Sequence, residues 1–479
     1  MKNQYNYIKA AKALFCIASI VIAAVFTGCK KVIDVGPPKT MINSANVYTS
    51  NTTAEAVVAG LFLNLASSGH MYNGSASVTI QQGLAADELK DYSASATGTT
   101  QFYTNSLNSQ NSYYWTEIYS ELFICNSAIA GLTSSSAGSL TPAIKQELLG
   151  EVKFARAYIF FNAVNLYGDV PLPLTTDYTV NTTLSRSPSA TVLNQVVQDL
   201  TDAQGLLPDN QYVTLAGTAD VNRLLPNKQT ASALLARVYL YMKNWKDAET
   251  QATNVIGGSS YLLEPVLTNV FLKTSRETIW QLQPATTTAA NADASVLVMT
   301  GAPTGFVNIY ALSDSLVNAF ESGDNRFINW VGTIQSGTTT YYYAYKYKQN
   351  VASTTVNEYP IMFRLAEQYL IRAEARAEQN NLSGAQADLN AIRNRAGLAN
   401  TTAATQTDVL NAIYHERRIE LFLEFGHRWF DLKRIGQLDA VMTVFDPLKG
   451  GTWSPYKALV PIPASEISVN SHLIQNPGY

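Results

Sequence analysis

The stretch HERRIELFLEFGHRWFDLKR, His415 to Arg434, puts four carboxylates, two histidines, five basic residues and a tryptophan into a chain that is only 14% charged. Acids at this density could serve general acid–base chemistry. Glu416, Glu420 and Glu424 recur every fourth residue, and a retaining glycosidase needs two carboxyls about 5–5.5 Å apart across a cleft. Taken as one continuous helix, however, the stretch gathers Ile419, Phe422, Leu423, Gly426 and Phe430 on one side. Leu421, Phe425, Trp429 and Leu432 lie beside them, so roughly half of the circumference is apolar. A helix buried over that arc offers no cleft, and neighbouring arginines would hold the acids ionised. The charges therefore read as structural pairs, with Glu424 to Arg428 and His427 to Asp431 at the i, i+4 spacing. Glu416 and Glu420 share their sector. Arg418 falls inside the apolar arc, where an unpaired charge is costly. It is expected either to snorkel to solvent or to meet a carboxylate from elsewhere, with Glu367 or Glu374 on the preceding repeat helix as candidates.

Other catalytic templates are absent from the sequence. There is no G-x-S-x-G and no G-x-x-x-x-G-K-[ST]. None of the histidines, His70, His415, His427 and His472, has a partner at zinc-protease spacing. No catalytic residue, no metal site and no cofactor is assigned, and a structural Ca²⁺ built from distant ligands is left open. A net charge of -3 without a basic tail gives no reason to expect nucleic acid. The 27 tyrosines against 17 phenylalanines point instead to wet binding surfaces. A sugar presents apolar C–H faces and a hydroxyl rim, so it needs flat rings beside amides and carboxylates. Loop position and residue type select Tyr72 and Asn73, Asp91 and Tyr92, Phe102 and Tyr103, the group Phe306, Asn308 and Tyr310, and Trp330. Trp115, Trp245, Trp429 and Tyr158 lie on helical patterns and are expected in the core. The tyrosines from Tyr341 to Tyr347 could form an aromatic strip, but a half-buried strand is the favoured reading.

The elements that must position these residues are mainly helical. Residues 1–28 have the form of a signal peptide. Lys2, Lys9 and Lys12 precede the apolar run from Ala13 to Phe26, which is too short to span a membrane. The run ends in Phe26-Thr27-Gly28-Cys29, similar to a bacterial lipobox. Cys29 is then acylated and anchored, since each buried CH₂ contributes about 0.8 kcal/mol; plain secretion with a free cysteine is the alternative. Residues 29–40 form the tether, and Cys125 is a small buried apolar residue. Helices are expected from Ala54 to Leu65, from Ser112 to Ile129, and from Pro142 to Gly168 with Thr141 as N-cap. Another starts at Ser187-Pro188. Lys228 to Ile256 is a helical hairpin with Ala236, Tyr239, Trp245, Ala248 and Ala252 at tetratricopeptide spacing. A looser second copy carries Ala373, Leu382, Ala385, Leu389 and Ile392, with Arg376 where the first has Tyr239. Ser93 to Asn111 and Pro284 to Gly305 read as long loops, and Thr338 to Asn350 as a strand.

Several of these segments together resemble the SusD/RagB family of outer-membrane lipoproteins. The segments are HERRIELFLEFGHRWFDLKR, ALVPIPASEI, the terminal QNPGY, FARAYIFFNAVNLYGDVPL, ASALLARVYLYMKNWKDA, RETIWQLQ, Asp324-Asn325-Arg326 and RLAEQYLIRAEA. The resemblance covers nearly all of the chain after Cys29. It implies a mainly α fold of four tetratricopeptide-like helical repeats with long loop insertions and minor β. A SusD-like N-terminal region would span 41–225, with the repeat and C-terminal region at 226–479. It also implies a non-enzymatic lipoprotein of the outer membrane, facing the cell surface, that binds oligosaccharide and works with a SusC-like TonB-dependent transporter. A tetratricopeptide scaffold for peptide or protein cargo is the alternative. Family glycan sites lie on variable loops, so the resemblance carries no binding residue over to this chain.

Overall fold

In a computed structural model of the chain, the described residues are 47–66, 72, 74–94, 98–136, 138–209, 222–284, 286 and 288–479. The signal segment, Cys29, the tether and Asn73 lie outside them. Helices dominate. In chain order they are α1 (Asn51–Leu65), α2 (Val78–Ala85), α3 (Gly98–Tyr103), α4 (Trp115–Ser134), α5 (Pro142–Tyr167), α6 (Tyr178–Asn181), α7 (Ser189–Leu206), α8 (Lys228–Tyr241) and α9 (Trp245–Ile256). There follow α10 (Ala292–Leu297), α11 (Asp314–Val317), α12 (Asn325–Trp330), α13 (Leu365–Glu378), α14 (Leu382–Arg395), α15 (Gln406–Glu420), α16 (His427–Arg434), α17 (Leu438–Leu448) and α18 (Ala464–Val469). Six short strands form three antiparallel pairs: β1 (Leu89–Asp91) with β3 (Tyr310–Leu312), β2 (Thr278–Gln281) with β6 (Ile361–Arg364), and β4 (Val331–Ser336) with β5 (Thr339–Ala344). None of the described helices is long and apolar enough to cross a membrane.

The central helix α5 begins with Pro142 in the first helical position and ends at Gly168, whose φ of +74° reverses the chain. Thr141 stands at the N-cap position, yet its hydroxyl accepts from the Asn51 side-chain amide (2.8 Å) instead of capping the helix. From Phe154 to Tyr167 every residue of α5 is buried. Around it, Trp280 meets the rings of Phe154 and Tyr158 edge-on at centroid distances of 5.0 and 5.4 Å. That geometry matches the quadrupole preference of aromatic pairs.

The two tetratricopeptide-like copies are the hairpins α8–α9 and α13–α14. Each turns through a left-handed residue followed by an asparagine cap, Lys243-Asn244 (φ of Lys243 +58°) and Asn380-Asn381 (φ of Asn380 +62°). Although far apart in sequence, the copies pack directly together. Ala236, Ala248 and Ala252 of the first meet Ile371 and Ala375 of the second, where the small residues allow close approach. The Arg376 anomaly has a cause: its guanidinium reaches back to Glu249 on α9 (2.8 Å) and across to Asp388 on α14 (2.9 Å). The segment between the copies carries five of the six strands and packs Phe271, Trp280, Trp330 and Phe363 into the main core.

Three expectations need correction. Ser93 to Asn111 is not all loop, since it contains α3, and Pro284 to Gly305 contains α10. More consequentially, His415 to Arg434 is not one helix. It breaks after Glu420 and restarts at His427, through left-handed backbone at Leu423 (φ +50°), Phe425 (φ +43°) and Gly426 (φ +72°). A Cβ on Gly426 would also lie 3.0 Å from Val78 and 3.1 Å from Gln82. What the break gains is a set of free carbonyls. Lys346 Nζ donates to the carbonyls of Glu420 (2.9 Å) and Phe422 (2.8 Å), and Arg364 Nη2 donates to that of Glu420 (2.7 Å). Two buried cations thus cap the C-terminus of α15, where the helix dipole favours positive charge.

Candidate ligand-binding surface and the buried ionic seam

The acids of the charge-dense stretch are buried and committed. Arg326 Nη1 bridges Glu416 (2.6 Å) and Glu420 (2.9 Å), while its Nη2 holds Asp324 (2.8 Å). Arg364 binds Glu277 (3.0 Å), Glu420 (2.5 Å) and Glu424 (2.7 Å). Arg395 closes the set on Glu277 and Glu420. Burial alone would raise Glu420, but Arg395, Arg364 and Arg326 hold it well below the usual carboxylate range. Glu424 is lowered in the same way by Arg364 and Lys346. Glu416 departs from the expectation: burial pushes it up, with Arg326 only partly opposing. None of the three side chains reaches solvent or a cleft, so this geometry offers no glycosidase pair.

The expected pairings within the stretch are not the ones formed. Glu424 pairs with Arg364 and Lys346, and Arg428 with Asp87 (2.7 Å), because the helix break separates residues that a continuous helix would stack. Asp431 takes Arg417 (2.8 Å) and Arg434 (2.7 Å) rather than His427. Arg418 meets neither Glu367 nor Glu374. Its Nη2 bonds Asp87 (2.7 Å) and the Ser315 hydroxyl (2.6 Å). Glu367 is occupied by Arg237 (2.6 Å), and Glu374 by Arg434. Arg418 thereby docks the C-terminal helices onto the turn after α2. Among the described residues, no three His, Cys, Asp or Glu side chains gather as metal ligands.

The sugar-contact candidates divide by burial. Tyr72, Phe102, Tyr310 and Trp330 are each at most 2% exposed and cannot face a ligand in solution. Tyr72 stacks against Tyr158 (5.1 Å), Phe102 against Tyr113 (5.3 Å), and Trp330 donates its indole N–H to the Leu267 carbonyl (2.9 Å). Phe102 lies on α3, Tyr310 on β3 and Trp330 on α12, elements that turn these rings into the core instead of leaving them on loops. Asp91 is a loop organiser, accepting from the Ser93 backbone N–H (2.9 Å) and from the hydroxyls of Ser93 (2.5 Å) and Thr100 (3.3 Å). Tyr103 is half-buried beneath Lys449 (5.5 Å). Asn308, left-handed at φ +56°, accepts from the Thr300 N–H (2.9 Å) and shapes its own turn.

Two candidates remain on the surface and are brought together. The β1–β3 ladder continues as Tyr92 N–H to the Ile309 carbonyl (2.8 Å) and Ala94 N–H to the Gly305 carbonyl (2.9 Å). That places the tip carrying Phe306, 81% exposed, beside Tyr92. Gly305 has to be glycine, as its φ is +87° and a Cβ would come within 2.9 Å of the Ala94 methyl.

The tyrosines from Tyr341 to Tyr347, weighed above as an aromatic strip against a half-buried strand, supply the rest of this surface from such a strand. In β5 the period-2 alternation puts Tyr341 and Tyr343 on one face and Tyr342 on the other. Tyr342 turns in towards Phe327 (5.9 Å), whereas Tyr341 meets Tyr92 edge-on (5.8 Å). Tyr343 neighbours Tyr345 (5.7 Å), and Lys348 lies over the Tyr345 ring (4.9 Å). Gly332, opposite Tyr343 in the ladder, leaves room for that ring to lie across the strand. The result is a row of partly exposed rings, Tyr92, Tyr341, Tyr343 and Tyr345, with Phe306 at one end. Partial burial raises Tyr92 and Tyr343 above the ordinary phenol value, so both stay protonated donors at neutral pH. The alternation in TTYYYA with a glycine opposite was the available signal.

Comparison with known proteins gives consistent matches. The family described as "SusD family" matches residues 331–479, and one described as "Starch-binding associating with outer membrane" matches 33–240. SusD-like protein P2 of Formosa agariphila is 28% identical over 433 residues, covering 78% of this chain and 81% of that protein. Starch-binding protein SusD of Bacteroides thetaiotaomicron is 37% identical over 122 residues, 25% of this chain and 21% of that one. A solved structure described as a laminarin binding SusD-like protein superposes with a TM-score of 0.76 at 23% identity, over 90% of this chain and 100% of that one.

Proposed function

The chain belongs to the SusD/RagB family, and from that membership we propose that it binds oligosaccharide at the outer membrane for uptake through a SusC-like TonB-dependent transporter. In this reading residues 1–28 are removed, Cys29 is acylated, and the protein faces the cell exterior. The observation that carries the ligand class is the tyrosine row. Flat rings with phenol donors, next to the exposed Phe306, suit the apolar faces and hydroxyl rim of a sugar chain. Starch and laminarin are what two similar proteins are named for binding, which supports a neutral glucan as the first ligand to try. A role in binding rather than catalysis fits the acids of the charge-dense stretch, all of them held by buried arginines or lysine.

A printed glycan array followed by calorimetry tests this. The wild type is expected to bind at least one neutral oligosaccharide, more tightly as the chain lengthens. Tyr341→Ala is expected to weaken binding by about 1 kcal/mol, roughly five-fold. Binding of peptides with no response to any glycan would favour the cargo-scaffold alternative.

A further inference from the structure

Away from the tyrosine row, a cleft of about 370 Å³ opens between α4, the segment from Pro171 to Thr176, α6 and α18. Its volume falls in the range of about 300–1,000 Å³ typical of small-molecule sites. Its walls are fixed. Tyr119 donates its hydroxyl to the Pro171 carbonyl (3.0 Å), and Asn126 donates to the Pro173 carbonyl (2.9 Å). Asn126 is itself held by Arg156 (2.9 Å), which forks onto Asp199. On the opposite side Asn470 donates to the Leu184 carbonyl (2.9 Å), and Arg186 bonds the Ile474 carbonyl (3.1 Å) and the Asn476 side chain (2.5 Å).

The lining combines rings with small polar groups. Tyr178 is 75% exposed and Phe123 54% exposed. Thr175, Thr182 and Asn181 line the same cleft. Asn181 spends its amide N–H on the Thr175 carbonyl (2.8 Å), and its enclosed Oδ1 accepts nothing from the protein. No lysine or arginine lines the cleft, and Glu466 is its one charged side chain, so an anion would find no counter-charge. Apart from that single carboxylate the lining is uncharged, which suits a neutral ligand with an apolar face for the rings and hydroxyls for the threonines and the carboxylate. A protein partner would need about 800 Å² of continuous face per side, and here the apolar residues are interrupted by threonines and asparagine.

We infer that this cleft is a second carbohydrate site, taking a neutral pyranose ring against Tyr178 and Phe123 with its hydroxyls towards Thr175, Thr182 and Glu466. The inference rests on the reading of the chain as a glycan binder, and extends it to two sites on one scaffold. Two sites would let one long glycan, or two branches of it, be held by avidity rather than by one strong contact.

The test titrates the strongest neutral oligosaccharide from the array, at a length of two or three sugars so that it cannot span both sites. Wild type is expected to take up two equivalents. Tyr178→Ala removes an exposed side chain, and circular dichroism checks that the fold is kept. It should weaken the second equivalent about five-fold and leave the first unchanged, while Tyr341→Ala should weaken the first about five-fold and leave the second unchanged. One equivalent in the wild type, lost with Tyr341→Ala and untouched by Tyr178→Ala, overturns the second site and leaves the proposed function standing. No glycan bound by wild type overturns both. A photo-crosslinker at position 178 that traps a protein in intact cells, with glycan stoichiometry unaffected by Tyr178→Ala, assigns the cleft to a protein partner and also overturns the inference.

Discussion

Asp87 and Glu88 are adjacent buried carboxylates with opposite fates. Burial would raise Asp87, but Arg428 and Arg418 bring it down to about 2. Glu88 lacks such a partner, and burial together with the Asp87 charge pushes it up to about 7. Asp87 therefore contributes stability that is fully present above its unfolded value near 4 and is lost as pH falls towards 2. Glu88 works the other way: the folded state binds its proton more tightly, so its contribution is greatest below the unfolded value and is lost as pH rises through 7. Asp87→Asn should destabilise by about 3–5 kcal/mol, because two arginines lose their counter-charge in a buried site. Glu88→Gln should gain on wild type as pH rises from 5 to 8, by about 2 kcal/mol. Urea unfolding at the two pH values measures both. The sequence showed that Arg418 must either snorkel or find a carboxylate, because a charge inside an apolar arc is costly wherever the fold places it. Which carboxylate serves was not legible, since Asp87 lies 331 residues away and only the tertiary fold joins them.

At the scale of elements, the break between α15 and α16 turns on a contest between local and distant forces. Leu423 and Phe425 can both continue a helix, and Gly426 is the one local signal against it. Holding each of them left-handed costs about 1–2 kcal/mol. That cost is offset by the caps from Lys346 and Arg364 and by the ion pairs at Glu420 and Glu424. Lys346 and Arg364 come from the inserted segment, so the winning interaction was invisible in the helix's own sequence. By contrast, the hairpins α8–α9 and α13–α14 were legible because alanine spacing is a local pattern. Gly426 is the position where the break is most exposed to substitution. Gly426→Ala should cost at least about 2 kcal/mol, from left-handed strain and from contact with Val78 and Gln82. Thermal denaturation monitored by circular dichroism checks this, and an unchanged midpoint would mean that the chain passes position 426 in another conformation.

At the scale of the molecule, the seam and the tyrosine row belong to different economies of the same fold. The ionic seam clamps the C-terminal helices, the second repeat and the base of the insertion through Arg326, Arg364 and Arg395. The rings that face solvent come from that insertion, at β5 and at the Phe306 tip, and from Tyr92 after β1. Stability and recognition should then separate under mutation. Glu420→Gln leaves three buried arginines short of a counter-charge and should lower stability by about 3–5 kcal/mol, with a clear drop in the melting midpoint. Its folded fraction should still bind oligosaccharide with wild-type affinity, since no ring of the row touches Glu420. The double variant Tyr341→Ala, Phe306→Ala should keep its melting midpoint within about 2 °C, as exposed side chains contribute little to folding. Its affinity should fall by the sum of two ring contacts, about 2 kcal/mol or roughly thirty-fold. Calorimetry and differential scanning calorimetry on the same preparations give both readings. If Glu420→Gln weakens binding in step with its loss of stability, the seam is coupled to the ligand surface through the caps on Lys346 and Arg364, and recognition depends on the rigidity of the scaffold as well as on the rings.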